Sequence, residues 1–169
     1  HPFMVKADEA MLEMADSVKQ YGVLVPGLVR PKADGSYEMV AGHRRKKASE
    51  LAGRETMPCI VRDLDDEEAT IIMVDSNLQR ESILPSEKAF AYKMKLEAIK
   101  RQGSRTDLTS GQIDPKLSNR RSNEIVAGNA GESVKQVQRY IRLTELMSSI
   151  LEMVDEKQIA FNPAVEISY

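Results

Sequence analysis

One cysteine, two histidines and no tryptophan occur among the 169 residues. A single thiol, Cys59, excludes a disulfide framework and a cysteine-rich metal cluster. It lies in the apolar run Met57-Pro58-Cys59-Ile60-Val61 and reads as a buried strand residue packing as a small hydrophobe. Aromatics are 5% of the chain, too few for a surface that works chiefly by stacking single-stranded bases. With His1 and His43 the only histidines, no His/Asp/Glu cluster supports metal-dependent nuclease chemistry. No apolar run is long enough to span a bilayer and no secretory leader is visible, so a cytoplasmic protein with no membrane contact is expected. The chain opens on His1 rather than Met and ends inside what reads as a helix, which predicts a piece of a longer protein.

What is present is a strong asymmetry of charge beneath a net of −2. Residues 1–85 carry 11 basic and 15 acidic side chains, residues 86–142 carry 12 and 6, and residues 143–169 carry 1 and 5. A middle of net +6 between two blocks of net −4 is suited to docking a polyanion. At 41% hydrophobic residues the chain can bury a core, and its length fits one domain or two small ones.

Helical spacing of Met11, Ala15 and Val18 predicts a helix from Asp8 to Tyr21, ended by Gly22. Val23 to Pro31 reads as a strand placed partly at an edge by Pro26, then a turn at Ala33–Ser36 and a returning strand from Tyr37 to Ala41. A short helix is expected from His43 to Leu51, a strand from Met57 to Leu64, and a helix from Asp65 to about Gln79 with carboxylates at its positive end. Ser86 reads as the N-cap of a helix to about Gln102 with Phe90, Met94 and Ile99 as its apolar stripe. Residues 103–118 are expected to form an exposed, mobile loop, and everything beyond to be helical, with Asn162-Pro163 opening the last helix. The order predicts an α+β fold: a small α+β domain over residues 1–85 and an all-α domain over 86–169.

Within the second domain, residues 120–143 have the pattern of a helix-turn-helix. A short helix carrying Ile125 and Val126 leads into a turn from Gly128 to Gly131. Ser133 then caps a second helix with Val134, Val137 and Ile141 facing inward. Lys135, Gln136, Gln138, Arg139 and Arg142 are left outside, where Arg and Lys suit guanine edges and Gln suits adenine. Such a helix enters the major groove N-terminus first, which makes Ser133, Lys135 and Gln136 the first contacts. Arg120, Arg121 and Arg142 are assigned to phosphates, which position without reading sequence. The competing reading is an ordinary amphipathic helix with a polar outer face.

Two further stretches carry chemistry. Gly42-His43-Arg44-Arg45 puts two guanidinium groups at the start of a helix behind a glycine, an arrangement that suits a phosphate. Asn77-Leu78-Gln79-Arg80 adds amides and a third arginine, enough to complete a nucleotide-phosphate site with a metal ion. The bland alternative for the first stretch is an exposed basic helix start that pairs with nearby acids.

These stretches, in order, resemble the ParB/Spo0J family of chromosome and plasmid partition proteins. Gly22-Val23-Leu24-Val25-Pro26 with Leu28-Val29-Arg30-Pro31 comes first. Ala41-Gly42-His43-Arg44-Arg45-Lys46-Lys47-Ala48 is similar to the family's Gly-Glu-Arg-Arg box, and Asn77-Leu78-Gln79-Arg80 with Leu84-Pro85-Ser86-Glu87-Lys88-Ala89 resembles its Glu-Asn-(Ile/Leu)-Gln-Arg box. The helix-turn-helix with Arg139-Tyr140-Ile141-Arg142-Leu143 completes the set. The resemblance implies a CTP-switched dimeric DNA clamp loaded at a palindromic site, nucleoid- or plasmid-associated, with a ParA-type ATPase as partner of the full-length protein. It implies that Arg44 and Arg45 hold the triphosphate and Asn77 helps hold Mg2+, with Gly42, His43, Gln79 and Arg80 in the same nucleotide site.

The chain departs from the family where Glu is replaced by His43 and by Ser76, and where Val25 replaces a glutamine. Two lost carboxylates predict nucleotide binding with slow or absent hydrolysis, at most a weak CTPase. The same small fold is shared with sulfiredoxin, whose Gly-Cys-His-Arg motif resembles Gly42-His43-Arg44 only in its last residues; Gly42 stands in place of the reactive sulfur. The alternative function is a helix-turn-helix regulator of transcription or replication on a mobile element, with a vestigial nucleotide site. A third class, a phosphotransferase or nuclease on the N-terminal fold, is distinguished by metal-dependent cleavage with an Arg44→Ala control.

Overall fold

The computed structural model describes residues 8–80, 82–107 and 115–169, and the side chains among them except at 104–107 and 115–120. It is a mixed α+β chain that divides into two compact units, one reaching Met73 and the other running from Val74 to Tyr169. The sequence places the boundary at residue 85; the grouping in space falls inside a helix.

The first unit opens with α1 (Glu9–Tyr21), whose N-cap Asp8 accepts from the Met11 amide at 3.0 Å. Met11, Ala15 and Val18 are buried against Ala48, as their helical spacing predicts. Gly22 at φ +74° ends the helix. Leu24 and Val25 are exposed bends, and β1 (Gly27–Pro31) starts only after Pro26. β1 pairs antiparallel with β2 (Tyr37–Ala41) and parallel with β3 (Cys59–Val61), giving the order β2-β1-β3. The strand expected at an edge is therefore central, and Pro26 precedes it. Pro26 needs no ladder partner there because it lies outside the pairing. α2 (His43–Leu51) follows β2 directly and closes through Gly53 at φ +71°, with Arg54 N–H donating to the Ser49 carbonyl and Gly53 N–H to that of Glu50.

β3 is shorter than the expected Met57–Leu64, and Cys59 is exposed rather than buried. The apolar run misled because β3 lies at the border of a three-stranded sheet, where Ile60 and Val61 are also about half exposed. α3 (Asp66–Leu78) begins with a reciprocal cap: the Glu68 amide donates to Asp65 Oδ1 at 2.8 Å and the Asp65 amide to Glu68 Oε2 at 3.1 Å. Arg30 ties the unit together from β1, bonding Glu38 on β2 and Asp66 at the head of α3, each at 2.7 Å.

The second unit is helical. α4 (Pro85–Asp107) has Pro85 as its first residue, and the Leu84 amide donates to Glu87. Ser86 is thus inside the first turn and not the N-cap; its amide and hydroxyl both donate to Asp155. The buried face of α4 is Ala89, Ala91, Tyr92, Lys95 and Ala98, while Phe90 is exposed. Small alanines let neighbouring helices approach, which a stripe counted on large apolar residues overlooks. α4 runs past Gly103, and α5 (Pro115–Ala130) starts on a proline at its favoured position, so the expected loop over 103–118 is helical at both ends. Its centre, 108–114, lies outside the described residues.

α6 (Val134–Arg142) is followed by a 3-10 turn at Leu143–Glu145, α7 (Ser148–Asp155) and α8 (Phe161–Ile167). α8 is capped at Ala160, ahead of the expected Asn162. Two cores form: Tyr92, Val126, Ala127 and Val137 in one, and Ala89, Leu143, Leu151, Val154, Ala164 and Val165 in the other.

Candidate functional site

In the first unit the start of α2 gathers Gly42, His43, Arg44 and Arg45. Gly42 occupies the N-cap at φ +106° and supplies no side-chain cap, so the first helical amides keep their donor capacity. A Cβ on Gly42 would stand 3.1 Å from the Gly27 Cα, a tight contact between two backbones, at a φ that L side chains rarely adopt. Arg44 Nη2 lies 3.7 Å from Asp8 Oδ1. Arg45 Nη1 donates to the Val25 carbonyl at 2.7 Å and the Pro26 carbonyl at 2.6 Å, holding the segment that leads into β1. His43 is held below the ordinary imidazole range, first by burial and then by the Lys46 charge, with a hydrogen bond to the Met39 backbone acting the other way. The dipole of α2 and its two guanidiniums make this corner electropositive.

Asn77, Gln79 and Arg80 sit at the end of α3 in the second unit, where Arg80 N–H donates to the Asn77 carbonyl at 3.1 Å. Gln79 is exposed, and Asn77 and Arg80 are half-buried. Ser76 is exposed beside them. No group of three or more His, Cys, Asp or Glu suited to a metal ion exists among the described residues, so any metal there would rest on ligand oxygens and an amide.

The expected two-helix reader lies wholly in the second unit. α5 continues to Ala130, so Gly128 is helical and the turn is only Gly131–Ser133. Gly131 at φ +66° donates to the Gly128 carbonyl and Glu132 N–H to that of Ala127, a Schellman closure. Ser133 caps α6, its hydroxyl accepting from the Gln136 amide at 3.1 Å. Val137 is fully buried, and Val134 and Ile141 are half-buried in the same core.

Lys135 and Gln138 are exposed, Gln136 is half-buried and Arg121 is exposed on α5. Arg139 and Arg142 are engaged within the chain. Arg139 donates to Asn162 Oδ1 at 2.6 Å and stacks 5.2 Å from the Phe161 ring, while Arg142 bonds the Ser168 carbonyl and lies 4.5 Å from the Tyr169 ring. The side chain of Arg120 lies outside the described residues.

Sequence reading missed the pairs that join distant segments of the helical unit. Lys95, almost wholly buried, bonds Asp75 at 2.5 Å, and Lys88 pairs with Glu132 while lying 4.6 Å from the Tyr140 ring. Lys88 and Glu132 are 44 residues apart, beyond any local periodicity. Burial and then the Glu132 carboxylate raise the Tyr92 phenol well above its ordinary value. No described helix is long and apolar enough to cross a membrane.

Residues 1–78 match the ParB N-terminal domain. The chain is 37% identical over 153 residues to the chromosome-partitioning protein Spo0J of Thermus thermophilus, covering 90% of this chain and 49% of that protein. It is 36% identical over 149 residues to stage 0 sporulation protein J of Bacillus subtilis, covering 88% and 45%. The chain thus spans about half the length of these relatives. Among solved structures it is similar to the C-terminally truncated ParB of Caulobacter crescentus complexed to the centromeric parS site, with 27% identity and a TM-score of 0.63 over 99% of this chain and 77% of that one. On the matched domain and the similarity to these relatives along most of this chain, it belongs to the ParB/Spo0J family of chromosome-partitioning proteins.

Proposed function

We propose that the chain is the nucleotide-sensing and DNA-binding part of a partition protein, a dimeric clamp on double-stranded DNA switched by CTP and Mg2+. The observation that carries the reading is the likeness, along 99% of the chain, to a ParB crystallised on its parS site. Ser133, Lys135, Gln136 and Gln138, at the head and on the outer side of α6, form the reading edge. Arg120, Arg121, Arg139 and Arg142 serve phosphates, the last two by exchanging part of their internal bonds.

For the nucleotide, Arg44 and Arg45 grip phosphate oxygens at the amide-rich start of α2, with Gly42 and His43 beside them. Asn77 offers an amide oxygen to Mg2+, and Gln79 and Arg80 adjoin it. The residues fit the group in donor type: two guanidinium forks, uncapped amides and one neutral oxygen. His43 and Ser76 supply no carboxylate, so binding without appreciable turnover follows. In the whole protein a palindromic site, a second copy and a ParA-type ATPase complete the system.

Calorimetry with CTP, ATP, GTP and UTP, with and without Mg2+, tests the switch. CTP alone should bind, and Arg45→Ala should abolish it. Anisotropy on a labelled palindromic duplex should show binding that nucleotide alters. Duplex binding with no response to any nucleotide would favour a second reading, a regulator with a vestigial site; the engagement of Arg45 with the Val25 and Pro26 carbonyls is the observation on its side.

A further inference from the structure

Arg139 and Arg142 stand three residues apart on α6, on one side of the helix, and a later segment of the same unit holds both. Arg139 donates to the Asn162 amide oxygen and lies against the Phe161 ring at the head of α8. Arg142 donates to the Ser168 carbonyl and lies against the Tyr169 ring just beyond that helix. An amide, a carbonyl and two rings bring no formal charge, so they leave both guanidinium charges uncompensated while occupying their directional bonds. The hold on Arg142 is also incomplete, since its Nε is buried with no acceptor. A phosphate oxygen is a stronger acceptor for a guanidinium than a neutral amide or carbonyl oxygen.

We propose that α8, with Ser168 and Tyr169 after it, is an internal clasp on α6 that competes with duplex phosphates for Arg139 and Arg142. The inference rests on the DNA-binding reading above and adds a brake to it. Contacts to α8 must open before both arginines reach the nucleic-acid backbone, and the free energy of opening is subtracted from the affinity. A phosphate carries no base identity, so the clasp acts on every duplex sequence. It lowers affinity without sharpening discrimination, and so keeps the chain exchangeable on DNA.

Anisotropy with a labelled parS duplex, and with a scrambled duplex of equal length, tests the clasp on the whole chain. Asn162 is exposed, so Asn162→Ala removes one arm without opening a core. Its affinity for both duplexes should rise by about threefold or more, because Arg139 no longer has an internal acceptor to leave. A misfolded variant would not bind more tightly. In an Arg139→Ala background the same substitution should change nothing, since the group it frees is absent. Side-chain NMR gives a second readout: the Arg139 protons, shifted by the Phe161 ring in the free chain, should lose that shift when the parS duplex binds. Unchanged or lowered affinity in Asn162→Ala, with parS binding by the unaltered chain intact, would overturn the clasp and leave the DNA-binding reading standing. A gain that persists without Arg139, or a ring shift retained in the complex, would overturn it in the same way. Failure of both the unaltered chain and Asn162→Ala to bind the parS duplex would instead remove the DNA-binding reading, and the clasp with it.

Discussion

Gly42 is the residue on which the first unit's geometry is least forgiving. Its φ of +106° and the 3.1 Å that would separate an added Cβ from the Gly27 Cα combine backbone strain with a tight contact. Gly42→Ala should therefore destabilise the protein by about 2 kcal/mol or more, read from urea unfolding. The glycine was legible in the sequence as the residue before a basic helix start; its reason, the crossing with Gly27, was not, because the two meet only once their strands have paired. His43 makes a second residue-scale prediction. Its folded pKa lies below the ordinary value, so the neutral form is favoured by folding and that stability is complete above the ordinary imidazole range, near 6.5. As pH falls from there toward the folded value, the unfolded state takes up the proton first and stability declines. A melting-temperature profile should show this decline, and His43→Gln should flatten it. Lys95 and Asp75 give a third. The ammonium-bearing side chain is 1% exposed and the carboxylate side chain 39%, so their losses are unequal. Asp75→Asn strands a buried cation and should cost about 3 kcal/mol in chemical denaturation, whereas Lys95→Met leaves a carboxylate that water can reach and should cost much less.

Helix ends were the best-read elements, because their signals are local. Gly22 stops its helix and Ser133 caps its own where the sequence suggested. Elements whose ends depend on distant partners were read poorly. Ser86 looks like a cap, yet Asp155, 69 residues on, recruits it into the first turn of α4. β3 is short because only three of its residues find a partner on β1, which no local pattern reveals. The end of α7 shows a stop that sequence alone conceals. Lys157 closes that helix at φ +62°, with Gln158 N–H donating to the Met153 carbonyl in the manner that glycine serves elsewhere in the chain. Lys157→Gly should stabilise the protein by about 1 kcal/mol, measured in thermal or urea unfolding.

At the scale of the molecule, the net +6 of residues 86–142 was plain from composition, and with it the expectation of a polyanion. Which arginines remain available was not plain, since Arg139 and Arg142 are held by α8 and the chain end. Under the proposed function, duplex affinity should fall steeply with salt, and Arg121→Ala, at an exposed position assigned to phosphate, should reduce the log-log slope by about one. The α+β architecture followed from element order, while the junction of its two compact units inside α3 required coordinates.

Arg45 commits one terminal nitrogen to two peptide oxygens and keeps its remaining N–H groups unclaimed by them. It is consequently two-sided: a strut toward the chain and a hand toward whatever arrives. Lysine, a single point of charge, would have to abandon one task to perform the other. Retaining the positive sign at this position is therefore insufficient, and a conservative exchange there would unfasten the approach to the central strand whenever an anion called on it.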